Sequence, residues 1–393
     1  MKSSYDIANR QGGYNTVMHG IYIHIPFCRT KCSYCHFVSV PITRAAEERY
    51  LKAVLRELEV WSDAGSEQPA VDSIYFGGGT PSLIPAGHIS EMLALCRLRF
   101  QVGGDCEISL ESNPGTLSPG KIDTYRSAGI NRVSLGVQSF NNEELKGIGR
   151  MHNAEMVLDA IRVLRNGGFT DINLDLMLGL PGQSAESWRR SLQSAVCQEV
   201  PHLSVYMLDL DDECPMKALF DSGSVRLPEE DLISDLYLET IEFLASQGYA
   251  QYEISNFARP GSVCRHNMKY WNRQPVYGFG AASHSFDGDS RYCNDPRLEK
   301  YIESVLAGDS PVSWREKVSA GQSLSESLFL GLRLRQGVDW KGLEAEYNQG
   351  CLLPFEPGMQ DLAERGLIEW NGSIVRLTES GMLLSNEIFQ LFI

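Results

Sequence analysis

Six short apolar runs, separated by longer amphipathic ones, constrain this chain more than any other feature. The runs are residues 21–25 (IYIHI), 73–76 (SIYF), 107–111 (EISLE), 132–137 (RVSLGV), 172–178 (INLDLML) and 203–208 (LSVYML). Helical patterns fall between them, for example over 45–61, 89–99, 143–166 and 185–198. Each run has the length of a strand, and each interval can hold a helix. A helical crossover returns the chain in its starting direction, so the strands are predicted to be parallel and the fold class α/β. Periodicity alone leaves two architectures open, an incomplete barrel or an open doubly wound sheet. In either, a site gathers at the C-terminal ends of the strands.

After Asp209 the alternation stops. Residues 228–248 read as one long helix, and 251–257 as a strand leading into a loop rich in His, Asn, Tyr and Trp. From about Ser323 the pattern is three helices, then short strands over 367–370 and 373–377 around Asn371-Gly372, a strong hairpin signal. Three helices and a hairpin make a winged-helix-like module. Its expected role is structural or protein contact, because a net charge of −15 repels nucleic acid. The same charge argues against an anionic membrane surface. The first twenty residues hold no apolar run, and no stretch approaches the roughly 18 apolar residues of a membrane span. Ten cysteines in 393 residues, three of them crowded together, do not make a secreted disulfide framework. A cytoplasmic location is expected, with thiols available for metal. The expected organisation is an N-terminal extension (1–19), a barrel (20–210), a barrel-closing segment (211–312) and the winged-helix-like module (313–393).

The most specific motif is Cys28-Arg29-Thr30-Lys31-Cys32-Ser33-Tyr34-Cys35, directly after the first strand. Three thiolates on one short loop can hold three irons of a [4Fe–4S] cluster, leaving the remaining iron open to a reactant. Zinc is the competing reading, but zinc usually takes paired C-x2-C sets with a distant partner pair, and no second pair exists here. The second strand ends in Phe76-Gly77-Gly78-Gly79-Thr80-Pro81. Glycines there permit close approach and leave N–H groups for a charged ligand end, although a simple tight turn would look the same. Later strand ends carry Glu111 and Asn113, then Gln138 and Ser139, then Asp175, with Arg150 and His152 in a Gly-Arg-Met-His segment. Singly, each of these could be a cap or turn residue.

The C-x3-C-x2-C spacing resembles the signature of the radical S-adenosylmethionine (SAM) superfamily. That resemblance implies a partial (β/α)6 barrel whose open iron chelates the amino and carboxylate groups of SAM, and whose electron cleaves the sulfonium to a 5′-deoxyadenosyl radical. Gly78, Gly79 and Thr80 are similar to the family's SAM-binding segment. The joint match to the oxygen-independent coproporphyrinogen oxidase-like subfamily implies SAM contacts from Glu111, Gln138, Arg150 and Asp175, and a cluster-side contact from Tyr22. Within that subfamily the oxidases proper carry another Cys two residues after the third, where this chain has Phe37. HemW-type heme chaperones carry an aromatic there, usually after Asp, whereas this chain has His36.

The segment Cys264-Arg265-His266-Asn267-Met268-Lys269-Tyr270-Trp271 resembles the His-Asn-x-x-Tyr-Trp motif tied to heme in that family. Imidazole is a common axial ligand to heme iron, and Tyr and Trp offer flat faces to a porphyrin. A buried His and aromatic pair closing the barrel is the structural alternative. The expectation is that His266 supports heme, with Tyr270 and Trp271 beside it, in a loop folded over the cluster mouth. Binding would then weaken below pH ~6.5. The tail, around Ser327–Arg333 and Arg376–Asn386, also resembles the HemW module. The resemblance thus implies a heme chaperone with an unidentified heme-acceptor protein and an electron donor such as a flavodoxin or ferredoxin. The competing functions are a coproporphyrinogen III dehydrogenase, a radical SAM methyltransferase, and a binding module with a vestigial cluster.

Overall fold

The computed structural model describes residues 17–62, 68–210 and 214–393. Most of the expected 1–19 extension therefore lies outside the described residues. Six strands, Met18–Ile25, Ala70–Gly78, Gln101–Ser112, Arg132–Gln138, Asp171–Leu178 and His202–Met207, pair in sequence order, each parallel to its neighbours. This is the expected (β/α)6 partial barrel.

The later segment extends it at both edges. Val276–Phe279 joins parallel to Met18–Ile25, followed by antiparallel His284–Phe286, Ser290–Asn294 and Val312–Lys317. At the other edge Asn256–Ala258 and Ala250–Glu253 pair antiparallel beyond His202–Met207. Among the described residues the sheet therefore has twelve strands. Because Val312–Lys317 pairs into this sheet, residues 313–317 belong with it, and the C-terminal module begins later than the expected boundary.

Side chains alternate between the two faces of each strand. In Ala70–Gly78, Ile74 and Phe76 are fully buried, while Ser73, Tyr75 and Gly77 alternate with them and face the barrel interior. The helix Arg44–Val60 starts at Thr43, whose hydroxyl accepts the Ala46 N–H, and buries Tyr50, Leu51, Val54 and Leu58. Each such side chain contributes about 1.5–3 kcal/mol relative to exposure.

The single helix expected over 143–166 is two, Asn142–Gly147 and Ala154–Asn166. Gly149 at φ +76° turns the chain between them, and Asn153 caps the second by accepting the Met156 N–H. The break places Arg150 at the cluster mouth. The C-terminal module has the expected three helices, Ala320–Leu332, Trp340–Tyr347 and Glu356–Glu364. Its wing pairs Ile368–Trp370 with Ile374–Leu377 and adds Val338–Asp339, two residues too short to show a period. No described helix is long and apolar enough to cross a membrane.

The expected loop at 265–271 is a helix, Arg265–Trp271, and it lies at the N-terminal end of the strands. The backbone N–H groups of Arg265 and His266 donate to the Glu107 carboxylate at 2.8 and 3.0 Å, and Glu107 stands early in its strand. Lys269, buried, pairs with Asp72 at 2.6 Å and donates to the Met18 carbonyl at 3.1 Å. This segment therefore plugs the end of the barrel opposite the cysteine loop.

Candidate functional site

The three motif cysteines are free thiols, each partly exposed, on the loop that leaves the first barrel strand. The loop is tied down between its sulfurs. Ser33 donates its N–H to the Ile148 carbonyl and accepts the Met216 N–H at 2.8 Å, and Tyr34 packs against Ile148, Leu180, Cys214 and Met216. Among the described residues no three His, Cys, Asp or Glu side chains converge on a single ion. Burial pushes the Cys28 and Cys35 thiols above their ordinary pKa. Iron must displace those protons.

Above the loop opens a cavity of about 320 Å³ lined by all three cysteines and by Gly78, Gly79, Thr80, Glu111, Gln138, Arg150 and Asp175. Seven separately chosen positions thus share one mouth with the cysteines, at the strand ends where an α/β site forms. Gly78 has φ +113° and donates its N–H to Glu111 Oε2 at 3.1 Å. A Cβ on Gly79 would lie 2.7 Å from the Phe27 backbone, so only glycine lets the two strand ends meet. Thr80 Oγ1 accepts from Asn113 at 2.8 Å and sits 3.5 Å from Cys28 Sγ. Arg150 donates to Asn113 Oδ1 at 2.7 Å and to the Gly136 carbonyl, with Nη1 3.8 Å from Cys32 Sγ.

Charge in this mouth is arranged for a cationic ligand. Burial, aided by Asp175, raises the Glu111 carboxyl to about 7. Burial also raises Asp175, against hydrogen bonds from Ser134 (2.9 Å) and Asn173 (2.7 Å) that favour its charged form. Gln138 is held at φ +66° with its Oε1 buried and unpartnered, and Arg150 Nε is likewise unpartnered. Strained backbone and orphaned polar atoms are costly unless a ligand uses them. A ligand bearing an ammonium, a carboxylate, a sulfonium and hydroxyls meets this set of donors and acceptors. SAM and the cluster therefore fit the residues present.

Other expected positions fall elsewhere. Tyr22 does not line the mouth. Its hydroxyl meets His24 Nδ1 at 3.1 Å, and His24 Nε2 meets the Val38 carbonyl at 2.9 Å, so Tyr22 braces the cysteine loop from below. His152 is buried with Nε2 3.1 Å from the Val137 carbonyl, and burial with the Arg150 charge lowers its pKa to about 4. Sequence reading passed over Met177, Tyr206 and Met207, which also line the mouth. The strand-end rule would have found them, but apolar and aromatic side chains there look like ordinary core.

His266, expected to support heme from a loop over the mouth, is buried in the helix at the other end of the barrel. Its Nδ1 lies 3.0 Å from Ser73 Oγ and its Nε2 3.1 Å from the Tyr270 hydroxyl, so both ring nitrogens are engaged. The ring stacks on Tyr75 at 5.1 Å, and Tyr75 in turn donates to Glu111 at 2.9 Å. Burial and Lys269 lower His266 to about 3. Trp271 packs under Arg333, 4.4 Å from its ring centre, towards the C-terminal module.

Comparison with known proteins agrees with this geometry. Residues 22–195 match the radical SAM superfamily, and 318–384 match the HemN C-terminal domain. The heme chaperone HemW of Bacillus subtilis (strain 168) is 34% identical over 377 residues, 96% of this chain and 99% of that one. The heme chaperone HemW of Escherichia coli (strain K12) is 32% identical over 378 residues, 95% and 97% of the two chains. Among solved structures, coproporphyrinogen III oxidase (HemN) from Escherichia coli, a radical SAM enzyme, superposes with a TM-score of 0.83 at 26% identity, covering 96% of this chain and 91% of that one.

Proposed function

The chain belongs to the HemW family of radical SAM proteins, and from that premise we propose that it is a heme chaperone, binding one [4Fe–4S] cluster, SAM and heme and passing the heme to an acceptor. Cys28, Cys32 and Cys35 would hold the cluster. Gly78, Gly79, Thr80, Glu111, Gln138, Arg150 and Asp175 would hold SAM. When bound, the cluster supplies one electron at a time to the sulfonium beside it. The chain's own part is to orient that ligand. Glu111 would meet the ammonium and Asp175 would suit the ribose hydroxyls, while Arg150 links the Cys32 sulfur to the strand-end carbonyl of Gly136.

The observation that carries the chaperone reading over the oxidase reading is Phe37. It stands where the oxidases have another thiol, and it is 65% exposed on the rim of the mouth. A phenyl ring offers neither a proton nor a metal ligand. An acceptor protein and an electron donor of the flavodoxin or ferredoxin type complete the proposal, within the cytoplasm. Anaerobic reconstitution followed by two assays tests it. Hemin should bind stoichiometrically, and coproporphyrinogen III should not be converted to protoporphyrinogen IX. Multiple turnovers of the porphyrinogen would establish the oxidase instead.

A further inference from the structure

Tyr75 stands on the second barrel strand, opposite Tyr22 on one neighbouring strand and Ser109 on the other, with its side chain in the barrel interior. Its ring stacks on Tyr22 with centroids 6.3 Å apart and on His266 with centroids 5.1 Å apart. Both neighbours are themselves anchored, Tyr22 by His24 and His266 by Ser73 and the Tyr270 hydroxyl. From this fixed ring the hydroxyl reaches towards the mouth and donates to Glu111 Oε1 at 2.9 Å. The other carboxylate oxygen, Oε2, accepts the Gly78 N–H at 3.1 Å. Among the described residues Glu111 receives these two hydrogen bonds. Gly77 leaves room for the first of them, because a Cβ there would lie 3.0 Å from Tyr75 Cε1 and 3.1 Å from Glu111 Oε1.

We propose that Tyr75 is the positioning residue for Glu111, holding its carboxylate charged and aimed at the cationic end of SAM from outside the mouth. The proposal rests on the reading above that Glu111 meets SAM. Tyr75 does not line the cavity, so it acts through Glu111. A hydrogen bond donated to a carboxylate favours the charged form and fixes its direction. Here that bond opposes burial and Asp175, which push Glu111 up to about 7. Burial and Glu111 raise the Tyr75 hydroxyl well above the ordinary phenol value, so it keeps its proton and remains a donor. The other titratable groups facing Glu111 are Tyr22, Tyr206, Tyr270 and Asp175. Burial raises the three phenols as well, so none of them ionises near neutral pH. Asp175 is the other carboxyl in the mouth.

SAM affinity of the reconstituted full chain, measured by calorimetry without oxygen from about pH 6 to pH 9, tests this. In Tyr75→Phe the carboxyl loses one of its two donors. The midpoint of the pH dependence should move up by about one unit, and affinity at pH 7 should fall roughly fivefold. Near pH 9 the two proteins should converge, because the carboxyl is then charged in both and the titration of SAM's own amino group cancels in the ratio. Gly77→Ala crowds the same hydrogen bond while keeping both partners, and should shift the profile in the same direction. In a Glu111→Gln background Tyr75→Phe should cost nothing further, and any pH dependence left there belongs to Asp175. The iron–sulfur absorbance should be unchanged in Tyr75→Phe and Gly77→Ala, since neither residue lines the cluster mouth. A wild-type profile in Tyr75→Phe would overturn the proposal. So would an equal loss at every pH, or the same further loss in the Glu111→Gln background, either of which would make Tyr75 a packing residue only. Wild-type SAM affinity and pH dependence in Glu111→Gln would instead remove Glu111 from the site, and this role of Tyr75 with it.

Discussion

Glu111 sits under two opposing demands. Its carboxylate is buried beside Asp175, which raises it to about 7 from an ordinary 4.5. The folded apoprotein therefore binds more protons than the unfolded chain between those values, and stability falls as pH rises through that window. Glu111→Gln should stabilise the apoprotein at pH 8 by roughly 1–3 kcal/mol, discounted because the side chain faces an open mouth. The same change should weaken SAM, whose cationic groups favour the ionised carboxylate. Wild-type SAM affinity should fall below pH 7, while the variant's should be flat across that range. Calorimetric titration at pH 6 and 8 checks both. An equal pH dependence in the variant would remove Glu111 from the site. At the cysteines, Cys32→Ala should abolish cluster assembly, whereas Cys96→Ala and Cys197→Ala should not. Iron and sulfide content after reconstitution decides this. These residues were legible in the sequence because short-range spacing encodes them, three thiols on one loop and polar groups where strands end. The positive φ and orphaned amide of Gln138 were not, because strand pairing across the sheet sets them.

The Arg265–Trp271 helix shows where local pattern fails. Its N-cap, Cys264, makes no side-chain capping bond, and the cap comes instead from Glu107 in a distant strand. Nothing within reach of a sequence window announces that. The loop expected over the cluster mouth is a helix at the other end of the barrel, because period and composition do not say which end of a barrel a segment closes. The Asn142–Gly147 and Ala154–Asn166 pair is a milder case, in which Gly149 and Asn153 were visible punctuation inside an apparently continuous helix. As a plug, His266 has a measurable consequence. Its pKa is lowered to about 3 from 6.5, so the unfolded chain binds the extra proton between those values, and stability falls as pH drops below 6.5. Between pH 7 and 5 this should amount to about 2 kcal/mol. His266→Gln should lose that part of the slope while retaining the cluster. Denaturant midpoints at the two pH values read it, and an unchanged slope would show that His266 is not the buried neutral group described.

At the scale of the whole molecule, one sheet carries the proposed cluster and SAM site at the C-terminal mouth of its strands, and a polar and aromatic interior runs from Glu111 through Tyr75 to His266. The central claim is that the tetrapyrrole is cargo and not substrate. The most direct test loads the reconstituted protein with hemin, adds SAM and reductant without oxygen, and analyses the recovered tetrapyrrole by chromatography and mass. Heme should be recovered with its propionates and ring unaltered. Stoichiometric or greater conversion to a decarboxylated or methylated product would contradict the claim.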